Sequence, residues 1–389
     1  MHVSDFDVVV LGAGIIGASV AFAVSSQGRS VALLDRGKAG YGTSRASFAW
    51  LNATSKTSDR GYHDFNRAGM REYAELARVR GDATIGHHPS GGVEWVDATD
   101  DSTLSSLRSQ FEQLRAWDYP VEWIGKAALE TLEPHVAFPK NCEGMRTLAD
   151  AWLDVPVHIA FLVRSIRENG GTTIEECGDG ELLLDDNSEK ITGLRTSDTE
   201  YRAPIVVVAA GPDTPRALSM LTGHDFEARF PMTRDPGLLV ETPGDRGDGL
   251  VRHLVHCSTR DEIHIRPTAS GGMLLGAYEM DGMVSEGMDE ADIRHVAGLL
   301  LEKARGILPE FPGREILDEC VSKVGIRALP ADGQSVIGPI LGVDGLVLAM
   351  THSGVTLAHI VAKRISAFVE TGEWPEDLAP FSFDRFTPG

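Results

Sequence analysis

Gly12, Gly14 and Gly17 lie in the stretch VVVLGAGIIGAS, where a run of β-branched residues gives way to a small-residue helix. That spacing suits a pyrophosphate. Gly12 permits a tight turn, Gly14 lets backbone approach two phosphates, and Gly17 lets helix and strand pack closely. The amides freed at the helix start, around Ile15 and Ile16, and the positive end of the helix dipole then face the negative charge. Asp35 closes the next apolar strand, about 20 residues on, where a carboxylate accepts from adenosine ribose hydroxyls and repels a 2′-phosphate. Arg36 follows it directly. A glycine triplet alone also fits a structural turn. Here a strand, a helix, a second strand and a terminal acid come in the required order. The pattern points to an ADP-containing dinucleotide and leaves FAD and NAD both open.

Three further stretches bear on that choice. In GTSRASFAWLNA, residues 42–53, the hydroxyls of Thr43, Ser44 and Ser47 with Arg45 could hold a second set of phosphate or ribitol oxygens. The alternative is a solvated loop, although Phe48, Ala49, Trp50 and Leu51 are apolar for one. In IVVVAAGP, a buried strand ends in Ala209, Ala210 and Gly211, small enough for backbone to pass a ligand at a carboxyl strand end. A plain turn explains it equally. In LVLAMTHSGVTLAH, a strand ends at His352 and Ser353, and a helix opens at Gly354, Val355 and Thr356. Exposed amides there suit the negative charge that a reduced flavin carries over N1 and O2. A cap without a ligand is the alternative.

The elements that must carry these residues are legible as periodicities. Phe6–Leu11 and Val31–Leu34 read as strands buried on both faces, with a helix over Ile15–Gln27 between them that stops at Gly28. Helical spacing recurs over Tyr62–Arg80, Asp100–Trp117, Pro156–Asn169 and Asp289–Leu308. A hairpin feeds the buried strand Ile205–Ala209, and Gly237–Val240, Glu262–Arg266 and Met273–Ala277 read as strands of a second sheet. On that sheet, alternation could bring His256 or His264 toward a ligand. The buried parallel-type strands sit near residues 8, 205 and 347, with hairpin material between them. The expected organisation is therefore a discontinuous cofactor domain (1–85, 145–225 and 322–389) and a substrate domain (86–144 and 226–321).

The 389 residues carry a formal net charge of −21, which argues against nucleic acid and anionic membranes as partners. No HExxH or similar metal spacing occurs. The opening MHVSD has no basic or apolar leader, and Cys142, Cys177, Cys257 and Cys320 are dispersed. Reduced thiols and a cytoplasmic location are the expectation.

Four motifs in fixed order, VVVLGAGIIGAS, LLDRGKAGYGTSRAS, VVVAAG and VGIRALPADGQSVIGP followed by GLVLAMTHSGVTLAH, span residues 6 to about 368. In them the chain resembles the D-amino-acid oxidase superfamily of FAD proteins, on its glycine oxidase and sarcosine oxidase branch. The resemblance implies an α/β fold: a Rossmann-like FAD-binding domain of the glutathione-reductase type beside an antiparallel-sheet substrate domain. It implies FAD and hydride transfer from a carbon next to an amine or amino-acid nitrogen, giving an imine that water hydrolyses. Electrons would pass to oxygen, or to a quinone or other carrier. Heteromeric relatives also imply a flavin-binding subunit without turnover of its own as a rival reading, so both homo- and hetero-oligomers stay open.

Within GIRALPADG the matched arginine is Arg327, which in amino-acid-oxidising members binds the substrate carboxylate. A structural salt bridge is its alternative role. Ala328 departs from the family's proline there. Gly325 matches the position at which sarcosine oxidases attach flavin through cysteine, so FAD is expected to be non-covalent. Arg327, His352 and His264 are the residues carried forward toward substrate and flavin.

Overall fold

Val8–Leu11, Val31–Leu34, Ile205–Val208 and Leu346–Met350 are apolar runs without polar alternation, and such strands need cover on both faces. The computed structural model, which describes residues 2–187, 189–219, 221, 232–258 and 262–386, supplies that cover. The four runs stand side by side in a six-stranded sheet, flanked by Thr172–Ile174 at one edge and Val336–Pro339 at the other. All neighbours are parallel except the last pair. One face packs against the helices Ile15–Ser26, Arg60–Arg80, Val155–Glu168 and Gly354–Thr371, and the other against Leu182, Ile191, Leu194 and Tyr201 of a smaller sheet.

The helices begin where their caps dictate. Asp59, Asp100, Asp154 and Asp289 each accept from the backbone N–H three residues on. Each cap is worth about 0.5–2 kcal/mol. The expected helix at Tyr62 therefore starts at Arg60, directly after Asp59.

Alternation governs the second large sheet. Its eight strands run in the order Val321–Pro330, Met232–Glu241, Met273–Gly276, Ile263–Pro267, Leu254–Cys257, Gly92–Asp97, Cys142–Thr147 and Val121–Gly125. Val93, Trp95, Leu238, Val240, Val255, Cys257, Ile263, Ile265 and Leu275 pack from one face onto the helix Glu290–Ile307. The other face carries the polar residues interleaved with them, and it meets the first layer. The α/β class is as expected, and the second sheet is antiparallel except that Leu254–Cys257 runs parallel to Gly92–Asp97. Val321–Pro330, which the expected division counts almost entirely with the cofactor domain, pairs along its whole length with Met232–Glu241 and is an edge of the eight-stranded sheet. The expected boundary at 225/226 lies outside the described residues. Among the described residues no helix is long and apolar enough to cross a membrane.

Two buried histidines join the layers of the cofactor side. His158 Nδ1 lies 2.8 Å from the Ile85 carbonyl, which can only accept, so that nitrogen carries the proton. Its Nε2 must then accept from His359 Nε2, 2.8 Å away. A second proton on His158, at Nε2, would set two N–H groups against each other. Burial accordingly pushes His158 down to about 4 and His359 well below its ordinary value. An unfolded chain binds these protons more readily, so the pair's stabilisation is complete above pH 6.5 and is lost as pH falls toward about 4. We expect His158→Gln to unfold with a shallower acid dependence than the native chain across that window, measured by thermal melts. Parallel curves would disprove the assignment.

Candidate active site

The glycine turn is closed by backbone contact. Gly12 has φ +104°, and a Cβ there would lie 2.4 Å from the Ala209 carbonyl oxygen. A Cβ on Gly17 would lie 1.9 Å from the Gly12 oxygen. Strand, helix and the neighbouring strand therefore approach at a distance only glycine allows. Gly14, at the N-cap, has no side chain to offer the first amides. Ile15 N–H donates to Ser44 Oγ at 3.0 Å, and Ala13 N–H to Asp35 Oδ2 at 2.6 Å. Asp35 Oδ1 accepts from Gly37 N–H at 2.8 Å, so the carboxylate is locked at the strand end with lone pairs to spare.

From this turn runs a cleft of about 410 Å³. It is lined by Gly12, Gly14, Ile15, Ile16, Asp35, Arg36, Thr43, Ser44, Ser47, Ala209, Ala210 and Gly211, and its far part by Arg327, His352, Gly354 and Val355. The second helix start, at Ser353, likewise makes no side-chain cap bond. Five parts of the sequence thus meet along one channel.

Other sequence candidates stand behind the lining. Gly17 packs the turn, and Arg45 stacks on the Tyr41 ring at 4.4 Å. Gly325 backs onto the Ala46 backbone, where a Cβ would come within 2.6 Å. Ser353 Oγ accepts from Tyr62 OH at 2.9 Å, and Thr356 Oγ1 donates to the Trp50 carbonyl at 3.1 Å. Ala49, with φ +57°, and Leu51 are buried in the core. Arg36 lines the cleft but is ion-paired with Asp213 at 2.5 Å. Sequence reasoning missed Gly178–Gly180 and Pro212, Asp213 and Arg216 in the lining. A signal existed for the first: Thr172–Ile174 runs parallel to the strand that Asp35 closes, so the glycine pair after it emerges at the same sheet edge.

The residues present fit an FAD. Two uncapped helix starts and the glycine cradle suit a diphosphate and an anionic ring edge. Between them, His352 Nδ1 is buried and has no hydrogen-bond partner among the described residues. An orphaned polar atom in a cleft wall is what a ligand group would satisfy.

The polar face of the eight-stranded sheet carries a row of titratable groups. His256 pairs across strands with both Glu94 and His264, and His264 with Gly276. A Cβ at Gly276 would fall 2.2 Å from His264 Nε2, so the glycine makes room for that ring. His256 lies 3.3 Å from Glu94 and 3.4 Å from Glu262. Burial works against its charge, but the two carboxylates outweigh it and hold the imidazolium to about 9. Glu94, buried and accepting from Ser258 Oγ at 2.6 Å, is pulled below its usual range by His256 despite its burial. His264 goes the other way: burial, then the charges of His256 and Arg327, push it to about 3. Burial, with Lys56 and Arg327, takes His352 to about 4. Of the residues carried forward toward substrate, Arg327 and His352 line the cleft. His264 lines a separate recess with Phe48, Trp50 and His256.

The wall of the recess hangs on Asp150. This buried carboxylate accepts from Trp50 Nε1 at 2.8 Å, Thr54 Oγ1 at 2.8 Å and Tyr119 OH at 2.5 Å. Burial raises it to about 6 even against these bonds. Arg266 fixes the same segment from the sheet, donating to the Phe48 carbonyl at 2.7 Å while stacking over Trp152 at 4.4 Å.

Comparison with known proteins agrees with this cleft. A family model described as DAO, FAD dependent oxidoreductase, matches residues 7–367. Glycine oxidase of Geobacillus kaustophilus is 25% identical over 98% of this chain and 97% of its own length. Glycine oxidase of Bacillus licheniformis is 26% identical over 94% of this chain and 93% of its own length. The crystal structure of the Geobacillus kaustophilus glycine oxidase superposes with a TM-score of 0.80 at 23% identity, over 99% of each chain. The chain belongs to the DAO family of FAD-dependent oxidoreductases.

Asp150→Ala would strand three donors, each at about 1–3 kcal/mol. Chemical unfolding is expected to show a loss of several kcal/mol, with a smaller loss for Asp150→Asn. Equal, small losses for both variants would mean that water replaces the carboxylate and that it does not fix the wall.

Proposed function

We propose that this FAD-dependent enzyme oxidises the C–N bond of an amine or amino acid bound between the far part of the cleft and the polar face of the eight-stranded sheet. The observation that carries the reading is the continuous channel. It leads from the glycine turn, past the orphaned His352 Nδ1, to Arg327 on that sheet. When bound, FAD supplies the two-electron acceptor for a hydride leaving the carbon next to nitrogen, and the imine product hydrolyses in water.

The chain's own part is binding and alignment. The amides at Gly14 and Ile16 and the adjacent helix dipole hold the diphosphate. Asp35 takes the ribose, and the amides of Gly354 and Val355 face the redox-active end. FAD is held by these contacts without a covalent bond, since Gly325 stands where the sarcosine oxidases carry their attaching cysteine. His264 and His352 are uncharged in the working range and offer hydrogen bonds without charge. They therefore place no cation beside an amine that must react in its neutral form. No protein base is needed for such a transfer, and the site's contribution is orientation in a water-poor pocket. The names of the glycine oxidases it resembles support an amine next to a small carbon skeleton.

The test is anaerobic mixing of the yellow holoenzyme with a panel of primary and secondary amines and amino acids. The visible flavin band is expected to bleach with at least one class. A band that survives the whole panel would leave the chain as a flavin-binding protein without this chemistry. Aerobic turnover then distinguishes acceptors: peroxide release marks oxygen, and turnover that needs a dye marks a carrier.

A further inference from the structure

Arg327 is the cleft-lining arginine carried by the eight-stranded sheet, and its guanidinium is already held. Nε lies 2.7 Å from Asp235 Oδ2, Nη1 lies 3.0 Å from Asp281 Oδ2, and Nη2 donates to the Pro236 carbonyl at 3.1 Å. The hold is built into the sheet. Asp235 is the cross-strand partner of Arg327 in the backbone register. Asp281 Oδ1 accepts from Leu238 N–H at 2.8 Å, which pins the carboxylate from the neighbouring strand. Gly237 completes the seat: a Cβ there would lie 3.3 Å from Arg327 Cζ and from Asp281 Oδ1.

The guanidinium thus donates one hydrogen bond, from Nη2 to the Pro236 carbonyl, and stands at ion-pair distance from two carboxylates. Two carboxylates against one guanidinium leave the unit with a net negative charge. Asp281, only 12% exposed at its side chain, cannot turn out to water without losing its backbone bond. A substrate carboxylate brought to Arg327 would meet these two fixed like charges.

We propose that Asp281 is a specificity-determining residue. With Asp235 it withholds Arg327 from carboxylate binding, and so selects amines that bring an uncharged group to this corner over simple amino acids. The inference rests on the reading that an amine is bound here for oxidation.

The experiment uses the FAD-loaded enzyme and a carboxylate that cannot be oxidised, benzoate, titrated while the visible flavin spectrum is followed. Asp281→Asn keeps an oxygen for the Leu238 amide and removes the charge. It is expected to bind benzoate about tenfold or more tightly than the native enzyme, the scale on which relieved like-charge contact is felt. Adding Arg327→Leu to that variant should abolish the gain. Asp235→Asn is the second variant, with the same expectation, should Asp281→Asn fail to fold.

Benzoate binding by the native enzyme that equals that of both variants and is lost in Arg327→Leu would overturn the proposal. An unchanged affinity in both Asp→Asn variants would do the same. An amine panel that never bleaches the flavin counts against amine oxidation, whereas the benzoate titration reports on Asp281 whichever way that panel falls.

Discussion

The contact of three backbones around Gly12 is the constraint on which the rest of the molecule depends. With any side chain at Gly12 or Gly17 the first helix could not lie against its own strand, and Ala209 could not stand beside the turn. That closeness points the helix start at the cleft. It also places Ser44 and Asp35 within reach of its first amides and brings the ends of three parallel strands to one edge. The cofactor side of the protein is an elaboration of this crossing. Its strands are uniformly apolar because helices and a second small sheet enclose them on both faces.

The other half of the site follows from a different rule. In the eight-stranded sheet side chains alternate, so one residue set makes a core under the helix Glu290–Ile307 while the interleaved set must face the first layer. That second set includes Glu94 ion-paired with His256, Asp235 ion-paired with Arg327, and His264 opposite His256 in the register, all in place before any ligand arrives. Paired charges and the uncharged His264 ring make a polar surface that is cheap to bury. The same pairing shapes what chemistry the surface can receive.

Much of this could be read from the sequence, for physical reasons that differ between elements. The first strand, helix and second strand were legible because local rules fix them: a buried apolar run, a glycine turn, an acid at a strand end. The helix starts followed from aspartate caps that act over three residues. The cleft-lining role of Asp35, Ser44, Ala209 and Gly354 followed from the same local grammar. What could not be read are the relations between distant segments. Arg327 shows its fork in the sequence, but the acids that pair with it come from another strand and from the short helix Tyr278–Asp281 after a third. Val321–Pro330 reads as part of the C-terminal motif, yet its register binds it to the other sheet. Trp50, expected at the cofactor, is instead drawn by its indole N–H to Asp150, a partner no local pattern announces.

Two helix origins open into one channel in a polypeptide whose formal charge is −21. The field is therefore attractive to anions within a few ångströms and repulsive farther out, where only the total is felt. An arriving dinucleotide dianion has to cross a distant barrier before reaching a welcoming interior. Mobile ions screen the outer barrier far more than the enclosed well. Uptake of FAD by the stripped protein should quicken, and not slow, as ionic strength rises, and an association rate that falls with added salt would show that the inner field already dominates at long range.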